Sequence, residues 1–238
     1  MSESPSFLAA EAGDLEALEQ LAAEEALEPD DALAGAAEAG RIALMAWSAE
    51  KGATNFDRAM VNAAEGGYIE AMAWCTGKGA TTLNWAMGAA AGGNQIDALA
   101  WCTEKGASDF TWAMACAARH GCIEAMRWCA AAGRLSRGHR AFTDALVFAV
   151  NHRKGKAAEL CLAWGGDFNH PGISKTAWVK ALRAGEIAVE PQDPPDVHDV
   201  RRRRRLLRRR HRLLLGGLVD LGCRCRECDR PGTPLPGM

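Results

Sequence analysis

Four tryptophans at one fixed interval constrain this chain more than any other feature. Trp47, Trp74, Trp101 and Trp128 follow one another at steps of 27 residues, and a cysteine follows each of the last three, at Cys75, Cys102 and Cys129. A fixed period of this length is the mark of a tandem array, in which every unit has to take the same local structure.

Three units align end to end: "GATNFDRAMVNAAEGGYIEAMAWCTGK", "GATTLNWAMGAAAGGNQIDALAWCTEK" and "GASDFTWAMACAARHGCIEAMRWCAAA". Fainter units precede them in "DALAGAAEAGRIALMAWSAEK" and "SFLAAEAGDLEALEQLAAEE", whose Gly13 stands 27 residues before Gly40, so the array starts almost at the N-terminus. Within a unit, Met87, Ala90 and Ala91 recur at helical spacing, Gly93 and Asn94 interrupt, and Ile96, Leu99 and Cys102 resume it. The pattern predicts two short helices joined by a turn, the second capped at the glycine of "KGA".

One such hairpin has too little apolar surface to stand alone, whereas stacked copies bury that side between neighbours. Alanines at 63–64, 90–91 and 117–118 let the first helices approach closely, and Met, Ile and Trp fill the space under the second. The predicted fold is all-α, a curved α-solenoid of helix-turn-helix repeats. Cys161 lies 32 residues beyond Cys129, which places about five extra residues in "GRLSRGHRAFTD". A last partial unit, "ISKTAWVKALRAGEI", precedes the three prolines of "EPQDPPD". The reading is therefore an array of five to six units over 1–188, a Pro/Asp linker over 189–200 and a tail over 201–238.

Charge divides along the same line. Residues 1–200 carry 16 Lys and Arg against 27 Asp and Glu, a net −11, and residues 201–238 carry 12 against 3, a net +9. No run reaches the roughly 18 to 20 apolar residues of a membrane span. The start "MSESPSFLAAEAGDLEALEQ" is acidic and lacks a signal peptide's basic and apolar regions, so the expected location is intracellular, cytoplasmic or nuclear. Nine cysteines, an odd number with six in apolar helical patterns, are then read as reduced thiols.

The stretch A-A-x-x-G-x-I-E, present as "AAEGGYIEAM" and "AARHGCIEAM" and followed by a G-A step, resembles the ankyrin repeat. The usual ankyrin unit has about 33 residues, a β-turn before its two helices and a T-P-L-H signature. Here the unit is shorter and that signature is absent, so the resemblance implies an ankyrin-like solenoid whose projecting hairpins are reduced to short loops. The units look most like the short ankyrin repeats common in large DNA viruses, and eukaryotic microbes carry similar arrays. Over about residues 6–188 the resemblance implies a non-catalytic protein-binding module, acting through loops and the concave face of the first helices, with a host protein as partner if the chain is viral.

Candidate sites follow from position within the unit. Three equivalent cysteines one repeat apart imply packing rather than a nucleophile or metal ligand, and Ser48 at the same place shows that any small residue suffices. Identical register makes Trp47, Trp74, Trp101 and Trp128 structural. Trp85 and Trp112 occupy a first-helix position that holds Arg58 one unit earlier. Large aromatics and Arg at a variable register suit a binding strip; alternatively the two indoles cover the neighbouring unit. Glu65 and Arg119, at a second variable register, are candidate polar rim contacts or solvated helix ends.

No catalytic constellation is legible. His120 is expected in a turn and His139, His152 and His170 in loops, without a serine, cysteine or carboxylate pair at a converging spacing, and no phosphate-cradling loop follows a strand. No cofactor is implied. In the tail, Arg201, Arg202, Arg203, Arg204, Arg205, Arg208, Arg209 and Arg210 form a basic run. It reads as an import signal, a nucleic-acid contact, an adhesive for acidic membranes, or a solvated extension. Cys223, Cys225 and Cys228 in "CRCREC" are open between a zinc site completed by His211, a redox-sensitive cluster and no role, and no metal site is assigned.

Overall fold

The computed structural model describes residues 4–173, and these form twelve helices and no strand. They run in pairs: α1 (Pro5–Ala12) with α2 (Leu15–Ala23), α3 (Pro29–Glu38) with α4 (Ile42–Glu50), and α5 (Phe56–Gly66) with α6 (Ile69–Gly77). Next come α7 (Leu83–Gly92) with α8 (Ile96–Glu104), α9 (Phe110–His120) with α10 (Ile123–Ala132), and α11 (Arg140–Asn151) with α12 (Gly155–Ala163). The partial unit from Ser174 onward, the linker and the whole tail lie outside the described residues.

Each pair turns at one left-handed residue. Gly13, Gly40, Gly67 and Gly121 hold that place with φ between 67° and 82°, and Asn94 and Arg153 hold it with φ 58°. Glycine accepts this conformation without a Cβ clash and Asn is the next best tolerated, which explains why "GGNQ" breaks the fourth repeat as cleanly as "GG" breaks the third. Helix starts are fixed by side-chain caps where the sequence offers them: Asp14 accepts from the Ala17 N–H, Asn55 from Arg58 and Asp109 from Trp112.

First helices pack on first helices in chain order, α1 on α3, then α5, α7, α9 and α11, and each second helix packs on its own partner. Ala63, Ala64, Ala90, Ala91, Ala117 and Ala118 are fully buried at the contacts between first helices. Met60, Met87 and Met114 from the first helices and Met45, Met72 and Met126 from the second fill the layer between the two rows. Small residues permit close approach of the backbones, and flexible thioethers fill what remains. Five residues connect each repeat to the next from α2 to α9, and seven connect α10 to α11.

Two expectations need adjustment. The five extra residues do not all sit in the connection after Gly133: one extends α10, two lengthen the loop, and two begin α11, which starts at Arg140. His120 ends α9 instead of standing in the turn, and its ring lies over Gly92.

Candidate recognition surface

On the outward side of the first helices, residues 27 apart line up across the stack. The row through the sequence candidates runs Ser4, Asp31, Arg58, Trp85 and Trp112, with Asp144 at the same register after the insertion. Its members engage one another along the row. The Asp31 carboxylate is held below the usual carboxylate range by the Ser4 hydroxyl and by Arg58, whose guanidinium pairs with it. Trp85 and Trp112 meet edge to face, with ring centroids 5.4 Å apart and planes at 71°. Asp144 faces Arg140 at 3.6 Å on its own helix.

The two indoles are not equivalent. Trp112 is half-buried because α7 carries Gly88 beneath it: a Cβ there would lie 2.5 Å from the indole Nε1. At the corresponding register α5 carries Val61, so no such space is offered to Trp85, which is 61% exposed. Of the two alternatives open in the sequence, Trp112 covers the neighbouring repeat and Trp85 stands out from the surface. Cys116 lies beside this pair, 3.3 Å from the same Cβ position, and burial pushes its thiol up to about 11.

Glu65 and Arg119 are both exposed, one repeat to either side of Gly92 at the same register. They flank the aromatic pair without touching it through any contact that defines the site. Arg201, Arg202, Arg203, Arg204, Arg205, Arg208, Arg209 and Arg210 lie outside the described residues, as do Cys223, Cys225, Cys228 and His211.

The repeating cysteines sit deep in the fold. Cys75 and Cys102 are fully buried, and burial pushes each thiol up to about 12. Cys129 and Cys161 are shifted upward for the same reason. A thiol held protonated and out of solvent is a weak nucleophile and a poor ligand. Cys122 departs from the helical pattern assumed for six cysteines: it precedes α10, and its thiol donates to the Gly92 carbonyl at 3.0 Å, tying one repeat to the previous one.

The tryptophans after the turns serve the same packing. Trp101 and Trp128 are 3% exposed, Trp74 meets Phe56 edge to face at 5.8 Å, and Lys51, Lys78 and Lys105 lay their ammonium groups over Trp47, Trp74 and Trp101 at 5.3 to 5.5 Å. The lysine of each "KGA" step therefore screens its own indole from water.

A third row was missed from sequence. The Asp30 carboxylate accepts the Thr54 and Asn55 N–H groups of the next repeat at 2.7 and 2.9 Å, Asp57 accepts those of Thr81 and Thr82 at 2.7 and 3.2 Å, and Asn84 accepts those of Ser108 and Asp109 at 2.9 and 3.1 Å. These three residues are themselves 27 apart, so the signal was present as a periodic Asp/Asn. The row joins the first turn of each first helix to the loop that opens the next repeat and holds the first helices in register beside the aromatic pair.

No protein-family model matches the chain, and no curated protein matches it.

Proposed function

We propose that this chain is a non-catalytic, ankyrin-like repeat scaffold that recognises another protein through the outward face of its first helices, centred on Trp85. The observation that carries this reading is the Trp85 indole, 61% exposed, more than any other large hydrophobic side chain among the described residues. Tryptophan and arginine are enriched at the energetic centres of protein interfaces, and Arg58 and Trp112 adjoin this one in the row, with Glu65 and Arg119 at the turn end of the neighbouring first helices. Loops and helices are pre-assembled by the Asp30, Asp57 and Asn84 bridges, so little ordering remains for the binding step. The likeness of the units to short viral ankyrin repeats makes a host protein the partner class to test first.

Replacing Trp85 by alanine is expected to weaken partner capture by about tenfold or more, the effect of losing an interface centre, with helix content and melting temperature little changed. Capture undiminished in a folded Trp85→Ala protein would remove this surface from the account.

A second reading places function in the tail, whose 12 basic residues against 3 acidic ones favour nucleic acid or a nuclear role. Binding to phosphates would fall steeply with salt and vanish when the arginines are neutralised.

A further inference from the structure

The edge of the stack formed by the turns inside each repeat carries a reversal of charge. At the last turn of the first helices the same register holds Glu11, Glu38 and Glu65, then Gly92, then Arg119. After the insertion this register holds Asn151, and the basic residues of the sixth repeat follow it: Arg153 and Lys154 in the turn and Lys156 in the first turn of α12. The fourth repeat, at the changeover, is uncharged through Gly92, Gly93, Asn94 and Gln95.

This edge is one continuous surface. Arg41 donates to the Glu11 and Ala12 carbonyls at 3.0 Å each, Cys122 to Gly92, and the Ala125 N–H to Asn94 at 3.1 Å. Lys154 lays its aliphatic stem over Gly121. Each turn therefore touches the one before it, and side chains at one register stand side by side.

Helix electrostatics account for Arg119 but not for the acidic half, nor for Lys154 and Lys156 at the start of α12. A cation in the last turn is stabilised by the carbonyl end of the helix dipole, as Arg119 is on α9, whereas an anion there is destabilised. Glu11, Glu38 and Glu65 thus run against the local preference in three successive repeats, and Glu11 and Glu65 are exposed. Three residues depart from the gradient. Arg41 has its N–H groups engaged on α1, and Asp97 and Glu124 lie in the first turns of α8 and α10, where the dipole favours an acid.

We propose that this turn edge is a self-complementary face that pairs two copies of the chain antiparallel, about a two-fold axis near the fourth repeat. The acidic third and second repeats of one copy then face the basic fifth and sixth repeats of the other, and the same contacts recur across the axis. Charge of opposite sign on either side of a neutral centre is matched at both halves by an inverted copy. A uniformly basic or acidic partner would match one half and be repelled by the other. This pairing does not depend on Trp85, which lies on a different register of the first helices, although Glu65 and Arg119 are candidate rim contacts of that surface as well.

The test uses the full chain and its mass in solution. At about 50 mM salt the mass should rise from monomer to dimer with concentration, and at about 500 mM, where exposed charges are screened within a few ångströms, it should return to monomer. Glu38→Lys with Glu65→Lys turns the acidic second and third repeats basic, and Arg119→Glu with Arg153→Glu turns the fifth repeat acidic and weakens the basic sixth. Each variant alone should stay monomeric, and an equimolar mixture should recover the dimer. Recovery on mixing also shows that both variants are folded; should either melt early, Glu70→Lys and Lys156→Glu replace them at exposed positions. A monomer at every concentration in low salt overturns the proposal, as does a mixture that fails to pair. Association lost in the Glu→Lys variant but kept by the Arg→Glu variant on its own would also overturn it and would assign the acidic edge to a basic segment instead.

Discussion

Gly88 lets the Trp112 indole lie flat on α7, and Val61 denies Trp85 the same bed on α5. A valine at 88 would place side-chain atoms where the indole nitrogen now sits. Gly88→Val should therefore lift Trp112 into solvent, lowering stability by about 1 to 3 kcal/mol as overpacking does and shifting tryptophan emission to the red. Unchanged emission and melting would mean that the ring has another resting place. Thiol reactivity belongs to this scale too. With Cys75 and Cys102 held up to about 12, alkylation at about pH 8, near the free-thiol value of roughly 8.5, should leave both unlabelled in the native protein and modify them only on unfolding. Peptide mass spectrometry reads this directly, and rapid native labelling would contradict the burial that removes these thiols from chemistry. The periodic cysteines and buried alanines were legible because burial at one register repeats. The difference between Trp85 and Trp112 was not, because it depends on what lies one helix away.

Between elements, the Asp57 carboxylate is the clearest joint. Its pKa is lowered chiefly by the Thr81 N–H, with Thr82 adding to the effect against a smaller desolvation penalty. A lowered folded-state pKa means that this contribution is present above the unfolded value and is lost as pH falls through the folded one. The stability conferred by Asp57 should thus be full at neutral pH and decline below about 4, the ordinary carboxylate range. Asp57→Ala should cost about 1 kcal/mol, as removal of a capping side chain does, and should flatten that acid dependence. Asp57→Asn should retain most of the stability, because Asn84 already makes the same pair of bonds one repeat later. Denaturant melts of the three proteins between about pH 3 and 7, spanning the carboxylate range, would settle it; equal losses in both variants would show that the carboxylate's charge, and not its acceptor geometry, holds the joint. Helix pairs, their turn and their order were readable from spacing alone. Helix-to-loop bridges were not, since Asp30 and Asp57 read locally as ordinary residues near a helix start and find their partners 24 and 25 residues away.

Across the described residues, every repeat is built on the one before it, through alanine contacts between first helices, acceptor side chains between helix and loop, and stacked turns. Such a construction leaves the outward registers with less packing duty than the interior, so they vary from Ser4 and Asp31 to Arg58, Trp85 and Trp112 while the buried alanines and methionines repeat. That freedom is what a recognition scaffold needs, and it is also why residue spacing reveals the frame but not the partner. The membrane question is narrower: no helix among the described residues is long and apolar enough to cross a bilayer. The measurement that bears most directly on the central claim is partner capture by three full-length proteins at low and high salt: the natural chain, Trp85→Ala, and a chain with Arg201 to Arg205 and Arg208 to Arg210 replaced by glutamine. Recognition through the first helices predicts that one protein is retained by the natural and glutamine-tailed chains in high salt and lost by Trp85→Ala. Capture that survives Trp85→Ala but disappears with the arginines or with salt would contradict it.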